Sequence, residues 1–160
     1  MHTLASEVQG NAMLSHLAYT IGHSPSPQPG RRSLFLGYAR HDRPDVDQLY
    51  DALHQCDPML PLFQDHRTIQ AGQPWLDVLR QRLGTASLLV CWLTSAYVAS
   101  TFCHYEVGVA ENTGARIIPV LVDAGIADRL LAYLSRLQAI TPGLPLDYAA
   151  LVAQLIGLLP

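Results

Sequence analysis

The stretch SLLVCWLTSAYVASTFCHYEVGVA, residues 87–110, changes its hydrophobic period halfway along. Residues 87–92 are apolar almost throughout, as a parallel strand covered on both faces should be. A polar turn at Thr94 and Ser95 follows, and a helical pattern takes over from about residue 101 to 112. Projected at about 100° per residue, Phe102, Val109, Tyr105, Ala110, Cys103 and Val107 form a broad apolar arc. Glu106 falls in the middle of that arc, whereas His104, Gly108 and Glu111 take the opposite side. A carboxylate on a core-facing side carries a desolvation cost unless it is paired or lines a cleft. Two readings follow for Glu106: a structural acid bonded to backbone amides or to an arginine, and a working group in a cleft.

Outward from this unit the chain repeats the same alternation. Residues 33–38 read as a buried strand, and Asp42 with Pro44 opens a helix that shares Val46, Leu49, Tyr50 and Leu53 on one face. Residues 59–64 form a weaker second strand. A polar loop follows, and Pro74 then starts a helix that carries Trp75, Leu76, Leu79 and Leu83 inward and can stop at Gly84. Residues 116–122 are a further strand, in which Pro119 cannot donate one ladder hydrogen bond and marks a bulge or an edge. A short helix at 128–134, a short strand at 137–140 and a final helix at 147–158, apolar nearly all round, complete the pattern. Strand and helix alternating in this way predict a parallel α/β sheet with right-handed crossovers. Ligands of such sheets sit beyond the carboxyl ends of the strands, where the strand order reverses. With the first strand beside both the second and the third, that crevice is flanked by Tyr38, Ala39 and Arg40 on one side and by Leu93, Thr94 and Ser95 on the other. Glu106 lies on the helix leaving the third strand, and this coincidence favours the working-group reading.

Ahead of the main domain, residues 1–22 place Leu14, Leu17, Ala18 and Ile21 at helical spacing, and the Ser/Pro-rich 24–30 reads as a linker. Residues 1–30 are thus an N-terminal extension with a short helix, and 31–160 the main domain. Glu7, Gln9 and Asn11 interrupt any secretory core, and no segment approaches the ~20 apolar residues of a membrane span.

Composition narrows the chemistry. With 49% hydrophobic and 14% charged residues over 160, the chain is globular. A net charge of -3 offers no basic footprint for nucleic acid. All ten basic side chains are arginine, which excludes a phosphate-binding or Schiff-base lysine. Cys56, Cys91 and Cys103 have no CxxC spacing and fit a reducing cytoplasm rather than a disulfide framework. Seven histidines without ligand spacing argue against a metal site.

Three segments, SLFLGYARHD at 33–42, LFQDHRTIQAGQPW at 62–75 and LLVCWLTSAYVASTFCHYEVGVA at 88–110, together resemble a TIR (Toll/interleukin receptor) domain, particularly the bacterial sort. RIIPVLVD at 116–123 and RLQAI at 136–140 are similar to the family's later strands, so the resemblance covers about 33–158. It implies a flavodoxin-like three-layer sandwich around five parallel strands ordered 2-1-3-4-5. Many members cleave NAD⁺ with a glutamate on the helix after the third strand, the position of Glu106 here. Bacterial members often carry a Trp four residues before it, where this chain has Phe102, an aromatic wall without an indole N–H. Residues 65–73 correspond to the family's mobile BB loop, so that Asp65, His66, Arg67, Ala71 and Gly72 are expected to gate the pocket or contact a neighbouring subunit. The resemblance also implies self-assembly into an oligomer or filament, a role in antiphage defence, and a possible separate sensor protein.

The chemistry itself needs little. Nicotinamide leaves as a neutral base, so no general acid is required, and positive charge builds up on the ribose. One ionised carboxylate held dry against that ribose stabilises the transition state, the role expected of Glu106 with NAD⁺ as substrate and no cofactor. Tyr38 and Phe102 offer planar faces, and Arg40 a partner for pyrophosphate. Their alternatives are strand end, core, and solvated charge or Asp42 partner. Thr94, Ser95 and Ser100 are hydrogen-bonding candidates with turn and capping roles as the alternative. Asp65 is expected to hold the loop backbone, Trp75 to be buried packing, and Cys103 packing. Two other functions stay open: a non-catalytic TIR adaptor, and a nucleoside deoxyribosyltransferase-like enzyme.

Overall fold

The computed structural model describes residues 32–130, 132 and 134–160. The helix and linker expected within 1–30 lie outside the described residues. Four parallel strands, β1 (Leu34–Gly37), β2 (Leu62–Phe63), β3 (Leu88–Leu93) and β4 (Arg116–Leu121), are ordered β2-β1-β3-β4. Leu34 aligns with Leu62 on one side and Leu88 on the other, and Leu88 aligns with Arg116. The helices are α1 (Arg43–Cys56), α2 (Asp65–Thr68), α3 (Trp75–Thr85), α4 (Ser95–Ala99), α5 (Thr101–Thr113) and α6 (Tyr148–Leu158).

Period-two alternation along the strands builds a core on each face of the sheet. Leu34, Leu36, Leu88, Val90 and Trp92 pack with Val46, Leu49 and Leu53 of α1 and Leu151, Val152 and Leu155 of α6. Phe35, Leu89, Cys91 and Leu93 pack with Leu79 and Leu83 of α3 and Cys103, Val107 and Ala110 of α5. Both faces are covered, which is why β3 reads as an unbroken apolar run. The result is the three-layer parallel sandwich expected from the sequence.

Two strands are shorter than expected. The second shrinks to two residues because Asp57 turns the chain before it, accepting the Met59 N–H at 3.1 Å on its side chain and the Leu60 N–H at 3.1 Å on its carbonyl. The fifth is a single bridge, Ile140 to Val120. Its N–H donates to the Pro119 carbonyl at 2.9 Å, and the Leu121 N–H donates to its carbonyl at 2.8 Å. A 3₁₀ turn at Leu134–Arg136 precedes it, and Pro142 with Gly143 follows, so no longer strand fits. Pro119 stays in register opposite Cys91 without a bulge. Its missing N–H falls on the outer, Ile140 side of β4, where its carbonyl points. The helix expected at 128–134 is replaced by 3₁₀ turns at Ala124–Arg129 and Leu134–Arg136.

Caps fix where the helices begin at the carboxyl end of the sheet. Thr94 accepts the Tyr97 N–H at 3.2 Å and Ser100 the Cys103 N–H at 3.3 Å, so the chain turns twice before α5. Gly114, left-handed at φ 78°, ends α5. The Thr94 hydroxyl also donates to Asp42 Oδ2 at 2.6 Å, tying the segment after β1 to the end of β3. Asp42 is buried; burial lifts its carboxyl above the usual range and the Thr94 bond opposes that rise. Replacing Thr94 by Val strands this acid and removes a cap, so Thr94→Val is expected to cost about 1–3 kcal/mol. Urea unfolding should show a lower midpoint with an unchanged m-value; an unchanged midpoint would count against the tie.

Candidate active site

A cavity of about 530 Å³ opens beyond the carboxyl ends of β1, β2 and β3, within the range of about 300–1,000 Å³ of small-molecule pockets. Its walls include Tyr38 and Arg40 from the segment after β1, Asp65, His66 and Ile69 from the segment after β2, Trp75 and Leu79 of α3, and Ser100 and Phe102 at the start of α5. It sits at the crevice predicted for a doubly wound sheet.

Glu106 lies one helical turn beyond Phe102 and is 3% exposed. It is not on the cavity wall itself. Its carboxylate is packed against the end of β1, where Oε2 stands 2.9 Å from the point a Cβ would occupy on Gly37. Only a residue without a side chain leaves room for it. Among the described residues Oε2 has no hydrogen-bond partner and no arginine pairs with the acid. Of the structural alternatives raised by the sequence, bonding to backbone amides or to an arginine, the arginine pair is not formed among the described residues, and Oε2 accepts no backbone amide. Burial, with the Asp65 carboxylate adding to it, raises the Glu106 pKa well above the ordinary range. The surrounding thiols follow the same physics: burial, with Glu106 contributing, pushes Cys91 and Cys103 up to about 12. Neither is a thiolate, and Cys103 is packing, as expected.

Tyr38 and the loop after β2 form one polar network. The Tyr38 hydroxyl donates to Asp65 Oδ1, and His66 Nδ1 stands 2.7 Å from the same hydroxyl. Asp65 Oδ1 also accepts the His66 N–H at 2.6 Å, the backbone-holding role expected of it. On the other side of its ring, His66 Nε2 is 3.2 Å from Asp47 Oδ1 of α1, which also accepts from Gln64 Nε2 at 2.8 Å. Burial first, then Asp65, keeps the Tyr38 hydroxyl protonated far beyond the ordinary tyrosine range. Tyr38 thus acts here as a wall and a latch.

Of the other candidates, Arg40 is exposed on the cavity and has no ion-pair partner among the described residues. Ala39 is buried, and its carbonyl accepts the Asp42 N–H at 2.8 Å. Thr94 and Ser95 do not reach the cavity. Thr94 is committed to Asp42 and to its cap, and Ser95 donates to Asp123 Oδ2 at 2.9 Å and accepts from Arg129 at 3.1 Å. Arg67 turns back to α1, pairing with Asp51 at 3.1 Å and covering the Tyr50 ring at 4.3 Å. Ala71 and Gly72 are exposed at the loop tip, where Gly72 takes φ 87°.

Trp75 departs from its expected burial: it is 50% exposed. It continues the Leu79–Leu83 stripe by one turn, but the indole lines the cavity instead of joining the core. Its ring lies 5.3 Å from that of Phe102 at 53°, and Phe102 in turn stacks with Tyr105 at 6.4 Å and 25°. Among the described residues no group of three or more His, Cys, Asp or Glu side chains is arranged to hold a metal. No helix there is long and apolar enough to cross a membrane.

Comparison with curated proteins returns no match. Among solved structures, the TIR domain of the Toll-related receptor TRR-2 from the lower metazoan Hydra magnipapillata is similar, with a TM-score of 0.58 at 14% identity over 67% of this chain and 81% of that one. The TIR domains of the activated Roq1 resistosome, which directly recognises the pathogen effector XopQ, give a TM-score of 0.51 at 18% identity over 79% and 70%. At such identities the likeness speaks for the fold. A family model for the TIR domain matches residues 34–155, which span the sheet, the cavity and Glu106. The chain therefore belongs to the TIR-domain family.

Proposed function

We propose that this TIR domain is an NAD⁺ nucleosidase that releases nicotinamide and makes ADP-ribose or a cyclic isomer of it. The observation that carries the reading is Glu106: a buried carboxyl with an unpartnered oxygen facing Gly37 and, among the described residues, no arginine partner, one helical turn from Phe102 on the wall of an aromatic cavity at the mouth of the sheet. In this reaction the bond from ribose C1′ to the pyridinium nitrogen breaks with both electrons going to nitrogen. Nicotinamide departs neutral, and the ribose is left as an oxocarbenium-like cation. Ionised Glu106 stabilises that cation from a dry position, where a charge acts most strongly. Water then adds at C1′ and loses its proton to solvent, giving ADP-ribose; an adenine nitrogen or a ribose hydroxyl adding instead gives a cyclic product. Arg40 is the cation available for the pyrophosphate. Reaching the ribose from its buried position requires Glu106 to be uncovered, and the Tyr38–Asp65–His66 latch is the contact in this cavity that a rearranging loop would break.

The Roq1 structure to which the chain is similar is an activated resistosome. By analogy, self-association through the 65–73 loop, which is exposed at its 70–73 tip, switches the activity on, under a sensor on another polypeptide, in immune-type signalling. One observation favours a second reading, a non-catalytic adaptor: Glu106 is absent from the cavity wall. Chromatography of products from purified protein incubated with NAD⁺, dilute and concentrated, separates the two. Nicotinamide release that rises more steeply than protein concentration supports the assembly-dependent enzyme. No release in any assembled state selects the adaptor, and free base released from deoxynucleosides selects a deoxyribosyltransferase.

A further inference from the structure

We infer that Trp75 is the stacking platform for the departing pyridinium ring, a binding residue supplied from α3 to the cavity in front of Glu106. This rests on the NAD⁺ reading above and adds to it the side chain that recognises the leaving base. Three observations converge on the indole. It is large, apolar and half exposed, and it overhangs the cavity instead of filling a core. It is braced by Phe102, which is itself stacked on Tyr105, so the ring is held from behind with surface left over. Finally, Tyr50 and Tyr105 each carry an arginine over the ring, Arg67 at 4.3 Å and Arg80 at 5.6 Å, whereas among the described residues Trp75 has none. What sets Trp75 apart is that it is an indole, the ring that attracts a cation best, and that it is half exposed on the cavity.

Position selects which base this is. Trp75 touches Phe102, and Phe102 stands one helical turn before Glu106, so a ring seated on Trp75 lies near the carboxylate that serves the scissile bond. Nicotinamide in NAD⁺ is cationic and leaves neutral. An electron-rich indole therefore holds the substrate more tightly than the product. Its attraction is greatest in the ground state and fades as charge moves onto the ribose, so Trp75 lowers KM without raising kcat.

The test uses the full chain and its two tryptophans, of which Trp92 is 1% exposed in the core on the α1 side of the sheet. In a Glu106→Gln background, NAD⁺ and nicotinamide mononucleotide should quench tryptophan emission saturably, while ADP-ribose, which lacks the pyridinium, should not. Trp75→Phe should abolish the quench and leave Trp92 emission in place. In the otherwise wild-type chain Trp75→Ala should raise KM for NAD⁺ about 5- to 10-fold with kcat unchanged or higher, and Trp75→Phe should recover most of the lost affinity. A wild-type KM in Trp75→Ala, a fall in kcat alone, a quench that survives Trp75→Phe, or equal quenching by ADP-ribose overturns the inference while leaving the enzyme intact. If the unsubstituted chain neither binds nor cleaves NAD⁺ in any assembled state, the proposed function falls and the platform with it.

Discussion

Glu106→Gln is expected to abolish nicotinamide release, by about 10²–10³-fold or more, and at the same time to raise the melting temperature. Both effects come from one charge. The carboxylate proposed to stabilise a ribose cation has no partner on Oε2 among the described residues and is 3% exposed, so ionising it in the resting fold is costly. The sign follows from its raised pKa. Below the ordinary glutamate range, folded and unfolded chains both carry the proton. As pH rises, the unfolded chain releases it freely while the fold must retain it, so stability declines until pH passes the folded-state pKa. Glutamine is spared this decline. The variant should be more stable than the parent by about 1–2 kcal/mol near neutral pH, roughly 2–6 °C in Tm, with the difference vanishing in acid. Calorimetry across pH reads it directly. The activity of the parent should correspondingly rise with pH, with a midpoint above the ordinary carboxylate range. A variant that is less stable at neutral pH, or that still turns over, would contradict the role given to Glu106.

Gly37→Ala should be nearly as damaging to turnover and opposite in its effect on stability. A Cβ there would stand 2.9 Å from Glu106 Oε2, 3.2 Å from Leu89 Cδ1 and 3.5 Å from the Val90 carbonyl. The first approach is shorter than side-chain carbons tolerate, and the second leaves little slack in a packed core. The carboxylate must move, since the strand cannot: β1 is bonded on both sides, to β2 and to β3. We expect a loss of about 1–3 kcal/mol in urea unfolding, and at least 10²-fold in nicotinamide release because the acid is displaced from its place behind the cavity. Full activity in a folded Gly37→Ala protein would mean that Glu106 works from some other position.

Much of this was legible in the residues, and the reasons differ by element. The faces of α1 and α3 follow from Val46, Leu49 and Leu53 and from Leu79 and Leu83, because helical period and burial agree there. Glu106 announced itself by breaking such an agreement. Strand ends were less readable: the second and fifth strands are cut short by turns whose hydrogen bonds, at Asp57 and Ile140, involve partners several residues or a whole crossover away. Thr94 and Ser95 stand in the expected crevice by position, yet their hydroxyls are spent on Asp42 and Asp123, partners 52 and 28 residues distant in the chain. Trp75 was misread for a geometric reason, since periodicity tells which stripe a residue belongs to and not where the core beneath that stripe stops. The space opposite Gly37 has no signature at all in a single sequence, because a missing Cβ matters only through what approaches it.

The proline in β4 has a consequence for how copies of this domain can join. A margin of a sheet recruits a foreign strand through free donors and acceptors. Along this one, Pro119 contributes no donor, and its carbonyl and the Leu121 amide are already taken by Ile140. Polymerisation by backbone zippering is closed off along residues 119–121, so any higher-order array that includes that part of the edge must be written in side chains, which single substitutions can unmake.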